Sequence, residues 1–289
     1  MSAKLGNVDN IGEKCKSPLF DITLSTSLIA GILAHLMKKI IIILPLMAFL
    51  SGCPVWQDQD TPVEQFRSVE PETGRAYWIY VPSYYKADQS WPLVVTLHGT
   101  YVWESYERQI KEWKKLAEEE GFIVVAPKLR AASVQGILPV AHDTRMAALR
   151  DDETMILALI NSLSDAYNID NQAVMITGFS GGGLPAYYAA LNNPTRFHML
   201  ILRSCNSDIK QFEEVTLTDE AKKLPIYIYW GKDDFQLIQD QSWQGFRYLK
   251  ERSYEVEKKE IKGGHIRRPK VAMEYWKKHL PAKYCKSRR

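Results

Sequence analysis

The segment that most constrains this chain is residues 177–183, with the sequence TGFSGGG. It follows the apolar run 173–176, which is typical of a strand, and precedes the small-residue run 184–191, which predicts a helix. A serine in a sharp turn between strand and helix takes a strained backbone, and side chains two residues before or after it would collide with neighbouring backbone. Both of those positions are glycine. We therefore predict that Ser180 is a nucleophile.

The helix predicted after Ser180 favours negative charge at its beginning. Its first N–H groups have no partner within the helix, and the positive end of the helix dipole lies there. Such a turn suits the oxyanion that forms when a serine attacks a carbonyl. Pro185 lacks an N–H group, so the sequence predicts an irregular start to this helix.

Composition favours one soluble-type domain rather than a nucleic-acid-binding protein. The chain has 289 residues, 46% of them hydrophobic, and a net charge of +3. This is enough apolar sequence for one α/β domain, and the charges are interspersed. We expect a monomer that binds no nucleic acid.

The N-terminal region has the order of an export signal. Residues 37–39 are Met-Lys-Lys, residues 40–49 are apolar except for one proline, and Leu-Ser-Gly-Cys follows at 50–53. This last run resembles the lipobox of bacterial lipoproteins. The resemblance implies cleavage before Cys53, a diacylglyceryl group on its sulfur, and a membrane-anchored protein in the periplasm or at the cell surface.

These signals suggest four regions along the chain. Residues 1–36 form an upstream extension, with Met37 as the start of translation; residues 37–52 form the signal peptide, 53–75 a polar linker and 76–285 the catalytic domain. The alternative is a longer, uncleaved anchor that begins at Leu28 and whose spanning run contains two lysines.

Strand-like and helix-like segments alternate through the predicted domain, which calls for a mainly parallel sheet. We predict strands at 76–82, 91–97, 122–126, 173–176, 197–202, 225–230 and 255–261, helices at 104–121, 151–167, 184–191, 239–252 and 270–280, and a loop at 128–145.

Residues with catalytic chemistry follow four of the predicted strands, at the edge where open α/β sheets bind ligands. A serine hydroxyl needs a base to accept its proton and a third group to hold that base. His265 follows two glycines after the last strand, and we predict that it is the base. The acid is Asp234, with Asp233 and then Asp208 as alternatives.

The order Ser180, Asp234, His265 resembles that of the α/β-hydrolase superfamily. Within it the chain is similar to polyhydroxybutyrate depolymerases, feruloyl esterases and acetylxylan esterases, on the motifs Leu97-His98-Gly99, Tyr167-Asn168-Ile169-Asp170, Thr177 to Gly182, Gly231 to Asp234 and Gly263-Gly264-His265.

The resemblance implies an α/β-hydrolase fold with helices on both faces of the sheet. It favours Asp234, three residues after a glycine, as the acid, and it implies an oxyanion hole made by the N–H groups of Thr100 and Gly181. The implied activity is hydrolysis of carboxylic esters through an acyl-enzyme. This chemistry needs no cofactor, and the histidines and cysteines show no zinc-ligand spacing.

The substrate is less constrained. Tyr101, Trp103 and Trp230 are candidates to line a cleft for a polysaccharide-linked or polyester-like ester, and ordinary packing explains them equally well. Two alternatives to an esterase remain: a peptidase or thioesterase on the same fold, and an inactive surface-binding module. Cys205 and Cys285 form a disulfide or remain as two thiols.

Overall fold

The computed structural model describes residues 60–100, 103–132, 141–215 and 218–284. The predicted signal, the lipidated Cys53 and the upstream extension lie outside these residues. The described part has eight strands: β1 (Phe66–Val69), β2 (Ala76–Tyr80), β3 (Trp91–Leu97), β4 (Ile123–Pro127), β5 (Ile169–Phe179), β6 (Met199–Arg203), β7 (Ile226–Gly231) and β8 (Val256–Ile261).

Seven α-helices accompany these strands in the described residues. They are α1 (Tyr106–Glu120), α2 (His142–Ala166), α3 (Gly183–Asn192), α4 (Ile209–Glu213), α5 (Asp219–Lys223), α6 (Gln236–Glu251) and α7 (Pro269–His279). Short 3-10 turns lie at Ser180–Gly182, Pro194–Arg196 and Ala282–Tyr284. None of the helices in the described residues is long and apolar enough to cross a membrane.

The strands form one sheet in the order β1-β2-β4-β3-β5-β6-β7-β8. β1 and β2, and β2 and β4, are antiparallel, and every pairing from β4 to β8 is parallel. The central strand β3 is buried along its whole length. A near-continuous apolar strand of this kind requires cover on both faces, so the predicted mainly parallel α/β arrangement is confirmed.

Helices supply that cover from two sides. On one face α1 and α7 pack against the sheet through Trp113, Trp276 and their apolar neighbours. On the other face α2, α3 and α6 pack against alternate strand residues such as Leu93, Ile176 and Ile228. Successive strand residues point to opposite faces, so each of the strands β2 to β8 contributes to both cores.

Three local predictions differ from the structure. The predicted linker 53–75 contains β1, which pairs with β2, so the folded part begins before Ala76. The predicted loop 128–145 ends early, because α2 begins at His142. Pro185 is the third residue of α3, where an N–H group needs no partner within the helix, and the irregular start lies before it, in the 3-10 turn Ser180–Gly182.

β8 lies at one edge of the sheet and has a different character from the central strands. Its ends, Val256 and Ile261, are buried, and the four residues between them are charged and mostly exposed. In the described part of the chain it pairs with β7 alone. The loop that follows it carries His265.

Candidate active site

The predicted catalytic residues meet at one edge of the sheet. Ser180 follows β5, Thr100 lies three residues after β3, Asp234 three residues after β7, and His265 four residues after β8. These four strands are parallel, so their carboxyl ends lie at the same edge. The convergence predicted from the sequence is therefore present.

The backbone of Ser180 is strained as predicted. Its φ is 51°, in the left-handed region that non-glycine residues seldom adopt. A Cβ on Gly178 would lie 2.3 Å from the carbonyl oxygen of Gly182. A Cβ on Gly182 would lie 2.6 Å from the carbonyl oxygen of His98. The two glycines therefore allow the turn to close on itself and to press against the loop after β3.

That contact brings the predicted oxyanion donors together. A Cβ on Gly181 would be 3.4 Å from the backbone nitrogen of Thr100, and one on Gly99 would be 3.1 Å from the Cβ of Ser180. The N–H groups of Thr100 and Gly181 thus belong to adjacent segments beside the serine. The carbonyl of Ser180 accepts a hydrogen bond from the N–H of Asn206 at 3.0 Å, which fixes the turn from the other side.

His98 has a structural position in this loop. Its ring is fully buried, and Nε2 accepts a hydrogen bond from the N–H of Leu129 at 3.0 Å. The proton is therefore on Nδ1, which donates to the carbonyl of Gly99 at 2.7 Å. Burial lowers the pKa of His98 to about 4, so the ring is neutral at neutral pH. Because a carbonyl and the next N–H point in opposite directions from one peptide plane, this bond orients the N–H of Thr100.

His265 and Asp234 form the second half of the site. Nδ1 of His265 donates to Oδ1 of Asp234 at 2.8 Å, and the carboxylate is fully buried. Oδ1 also accepts the N–H of Phe235 at 2.8 Å, whereas Oδ2 has no hydrogen-bond partner among the described residues. An acceptor at Nδ1 leaves the lone pair on Nε2, the tautomer that a general base requires.

The two alternative acids are placed elsewhere. Asp233 is exposed, and its N–H donates to the carbonyl of Gly263 at 3.0 Å. Asp208 caps α4 by accepting the N–H of Lys210 and pairs with Arg145 at 3.2 Å. The geometry therefore brings only Asp234, of the three aspartates considered, to His265.

Two aromatic rings enclose His265. The ring of Phe179, the residue before Ser180, is 4.8 Å from the imidazole between centroids, and the ring of Phe235 is 5.2 Å away. Phe179 is buried, whereas Phe235 is 45% exposed. No hydrogen bond joins Ser180 to His265 within the described residues, and catalytic hydrogen bonds often tighten only when substrate binds.

A buried charged network, which the sequence did not suggest, lies beneath these rings. Arg203, at the end of β6, donates to the side chains of Thr177 and Thr96 at 3.0 Å and of Gln109 at 2.6 Å. It also pairs with Glu112 at 3.4 Å. Burial raises the pKa of Glu112 to about 7, against the lowering effect of Arg203 and Arg267. The only signal in the sequence was a charge at the end of an apolar strand.

The candidate substrate-binding residues are dispersed. Trp103 is 41% exposed beside the loop of Thr100, a position suited to contact with substrate. Trp230 is buried, and its ring lies beside Trp243 and Lys258, so its role in the pocket stays a prediction. Tyr101 lies outside the described residues.

The remaining sequence candidates concern metals and cysteines. The described residues contain no group of three or more His, Cys, Asp or Glu side chains that could hold a metal ion. Cys205 is buried. Cys285 lies outside the described residues, so its pairing with Cys205 stays a prediction.

Comparison of the sequence with known proteins gives two matches. The sequence model of the Esterase family matches residues 68–286. A bifunctional acetylxylan esterase/xylanase of Neocallimastix patriciarum is 30% identical over 120 residues, which are 42% of this chain and 16% of that protein. The chain thus spans less than a fifth of the length of that relative.

Two solved structures have a similar fold, and the similarity covers most of their chains and most of this chain. A ferulic acid esterase of Anaeromyces mucronatus has a TM-score of 0.55 at 14% identity, covering 78% of this chain and 93% of the other. An S-formylglutathione hydrolase of Staphylococcus aureus has a TM-score of 0.55 at 15% identity, covering 75% of this chain and 99% of the other. At such identities the likeness concerns the fold, and it confirms the predicted α/β-hydrolase architecture.

Proposed function

The chain belongs to the Esterase family, and from that premise we propose that it hydrolyses carboxylic esters with Ser180 as nucleophile, His265 as base and Asp234 as the group that orients the base. The observation that carries the proposal is the 2.8 Å hydrogen bond between His265 and the buried Asp234, next to a serine with a φ of 51°. Strain of this kind concentrates at functional sites.

The reaction has two acyl transfers. Oγ of Ser180 attacks the ester carbonyl while Nε2 of His265 accepts the hydroxyl proton. The resulting oxyanion receives hydrogen bonds from the N–H groups of Thr100 and Gly181. Collapse of the tetrahedral intermediate breaks the bond to the alcohol oxygen, and His265 gives that oxygen its proton. Water, deprotonated by His265, then attacks the acyl carbonyl. The bond from the acyl carbon to Oγ of Ser180 breaks, His265 returns the proton to Oγ, and the acid is released.

The substrate we propose is an ester attached to a polysaccharide or within a polyester. Names of relatives support it, since one is an acetylxylan esterase/xylanase and one a ferulic acid esterase. Exposed aromatic rings at the site, Trp103 and Phe235, offer flat apolar surfaces of the type that sugars and phenolic rings contact. The chemistry of the triad is common to all these esters.

Ser180→Ala tests the activity, with p-nitrophenyl acetate as substrate. We expect loss of turnover by a factor on the order of 10⁶ with an unchanged melting temperature. A variant that keeps most of its turnover would overturn the proposal. Feruloyl, acetyl-xylan, polyhydroxybutyrate, thioester and peptide substrates, assayed side by side, then rank the substrate classes, and a preference for thioesters or peptides would overturn the substrate assignment.

The same protein, we propose, is exported and tethered through a lipid on Cys53. The support is the order of charges, apolar residues and Leu-Ser-Gly-Cys in residues 37–53. Mass spectrometry of the mature protein from its natural host should find an N-terminal diacylglyceryl cysteine. Intact residues 1–36 on the mature chain would contradict this.

A further inference from the structure

Glu104 and Arg267 form a buried ion pair between the two halves of the active site. They are 163 positions apart in the sequence, and their side chains are 6% and 11% exposed. Neither residue belongs to the proposed triad or to the oxyanion hole. Desolvation of two charges can cost as much as their attraction gains, so a buried ion pair is weak evidence for a role in stability.

Glu104 is attached to the loop that presents the oxyanion donor. Its N–H donates to the carbonyl of Thr100 at 2.9 Å. Its Cγ lies so close to Gly99 that a Cβ there would be 3.1 Å away. The first contact is with the peptide after Thr100 and the second with Gly99, which precedes it, so a shift of Glu104 would disturb both sides of the residue whose N–H group we place in the oxyanion hole.

Arg267 is attached to the loop that presents the base. It lies two residues after His265, and its guanidinium carbon is 5.1 Å from the centroid of the Phe179 ring. The imidazole of His265 lies 4.8 Å from the same ring. The carbonyl of Arg267 accepts a hydrogen bond from the hydroxyl of Tyr229 on β7 at 2.9 Å, so the backbone of this loop is anchored as well.

The other carboxylate oxygen of Glu104 is anchored to the network beneath the site. Nε2 of Gln109 donates to Oε2 of Glu104 at 3.2 Å. Gln109 is itself held by Arg203, whose Nη2 donates to its Oε1 at 2.6 Å. The Glu104 carboxylate is therefore fixed on one side by the sheet and on the other by the loop of the base.

We propose that the Glu104–Arg267 pair is a positioning device that sets the separation between the oxyanion hole and the base His265. It joins a loop after β3 to a loop after β8, and these strands are separated in the sheet by β5, β6 and β7. In this role the pair acts through the oxyanion donor Thr100 and the base His265.

The inference depends on the proposed ester hydrolysis, and a positioning role has a defined kinetic signature. Glu104→Gln keeps the shape of the side chain and removes its charge. We expect kcat to fall by about ten- to a hundredfold, because small displacements of catalytic groups cost this much. We expect KM to stay within about twofold, because no contact with substrate is lost.

Asp170→Asn is a matched control for the same chemical change. Asp170 is also a carboxylate in an ion pair: its side chain is 10% exposed and pairs at 2.6 Å with Lys283, whose side chain is 57% exposed. It lies near the start of β5, roughly 30 Å along the strand from Ser180. This variant should lose stability to urea with kcat unchanged.

A double-mutant cycle completes the experiment. Arg267→Met and the double variant with Glu104→Gln should have similar kcat values, because the second change removes an interaction already lost. Arg267→Lys keeps a charge at this position and should recover part of the rate. If Glu104→Gln does not fold, the ratio of the Lys to the Met variant decides the question.

The outcomes separate the two proposals. Wild-type activity that Ser180→Ala leaves intact refutes the ester hydrolase mechanism. An active wild type, an inactive Ser180→Ala and a Glu104→Gln with wild-type kcat refute the positioning role alone. A raised KM with unchanged kcat also refutes it, since Glu104 would then contact substrate, and so does equal activity of the Lys and Met variants at Arg267.

Discussion

Asp234→Asn tests the geometry of the proposed triad most directly. The carboxylate is fully buried, and its Oδ1 accepts two hydrogen bonds, from Nδ1 of His265 and from the N–H of Phe235, both at 2.8 Å. An asparagine of the same shape can keep its oxygen at this position, but it removes the negative charge that stabilises an imidazolium. It also places an NH₂ group where Oδ2 has no partner among the described residues.

The opposite amide orientation is worse for catalysis. The NH₂ group would then face two donors, and His265 would have to accept at Nδ1 and carry its proton on Nε2. That tautomer has no lone pair for the hydroxyl of Ser180. We expect kcat to fall by about 10⁴-fold, as the change does in comparable triads, which corresponds to about 5.5 kcal/mol of transition-state stabilisation.

The assay compares kcat and KM for p-nitrophenyl acetate in Asp234→Asn and Asp233→Asn. The neighbouring Asp233 is exposed and bonds through its backbone, so its variant should stay within about twofold of wild type. A decrease of less than about tenfold in Asp234→Asn, or a large loss confined to Asp233→Asn, would refute the assignment of the acid.

Three further changes probe the surroundings. His98→Gln should flatten the pH dependence of the free energy of unfolding. Burial gives the ring of His98 a pKa of about 4 in the folded protein, against 6.5 when exposed. Between these pH values the unfolded chain binds one more proton than the folded chain, so the wild type loses about 2 kcal/mol of stability from pH 7 to pH 5 through this group. Urea unfolding at the two pH values measures it. Gly182→Ala places a methyl group 2.6 Å from the carbonyl oxygen of His98 and should lower the free energy of unfolding by about 1–3 kcal/mol and reduce kcat. Phe235→Ala removes an exposed ring beside His265 and should lower kcat/KM for aryl esters about fivefold more than for alkyl esters.

For each of these three predictions, one outcome would contradict the reasoning. The argument about His98 fails if its variant keeps the wild-type slope of stability against pH. Wild-type stability of Gly182→Ala would show that the turn does not press on the loop after β3. Equal losses on aryl and alkyl esters would exclude the Phe235 ring from substrate binding.

Most of the candidate active site was predictable because short, local sequence motifs indicate it. The glycines around Ser180, the apolar strand before His98 and the two glycines before His265 are short-range signals, and parallel topology then places strand ends together. The match to the Esterase family and the solved α/β-hydrolase structures confirm the resemblance drawn from those motifs.

What the sequence did not reveal depends on direction or distance. Asp233 and Asp234 are adjacent, and only the path of the loop decides which one faces His265. Trp230 alternates with Tyr229 along β7, so its ring enters the core on the opposite face of the sheet. The strand β1 has four residues and little apolar content, which leaves no periodic signal.

Long-range pairs leave no trace in a single sequence. In the sequence, Glu104 is a charged residue near the start of a predicted helix and Arg267 a charged residue after the predicted base, and nothing indicates that the two are in contact. Their contact depends on where three intervening strands place the two loops.

His265, the base of the proposed triad, lies in the loop after the edge strand β8, whereas the nucleophile follows β5 in the middle of the sheet. In the described part of the chain β8 has one neighbour and four charged residues between its buried ends. Edge elements with few buried contacts open at a lower free energy than the whole domain. Opening β8 would carry His265 away while β3, β5 and the serine turn stay folded. Catalytic competence thus depends on an edge strand, and we expect the protein to lose esterase activity in mild denaturant before it loses its fold.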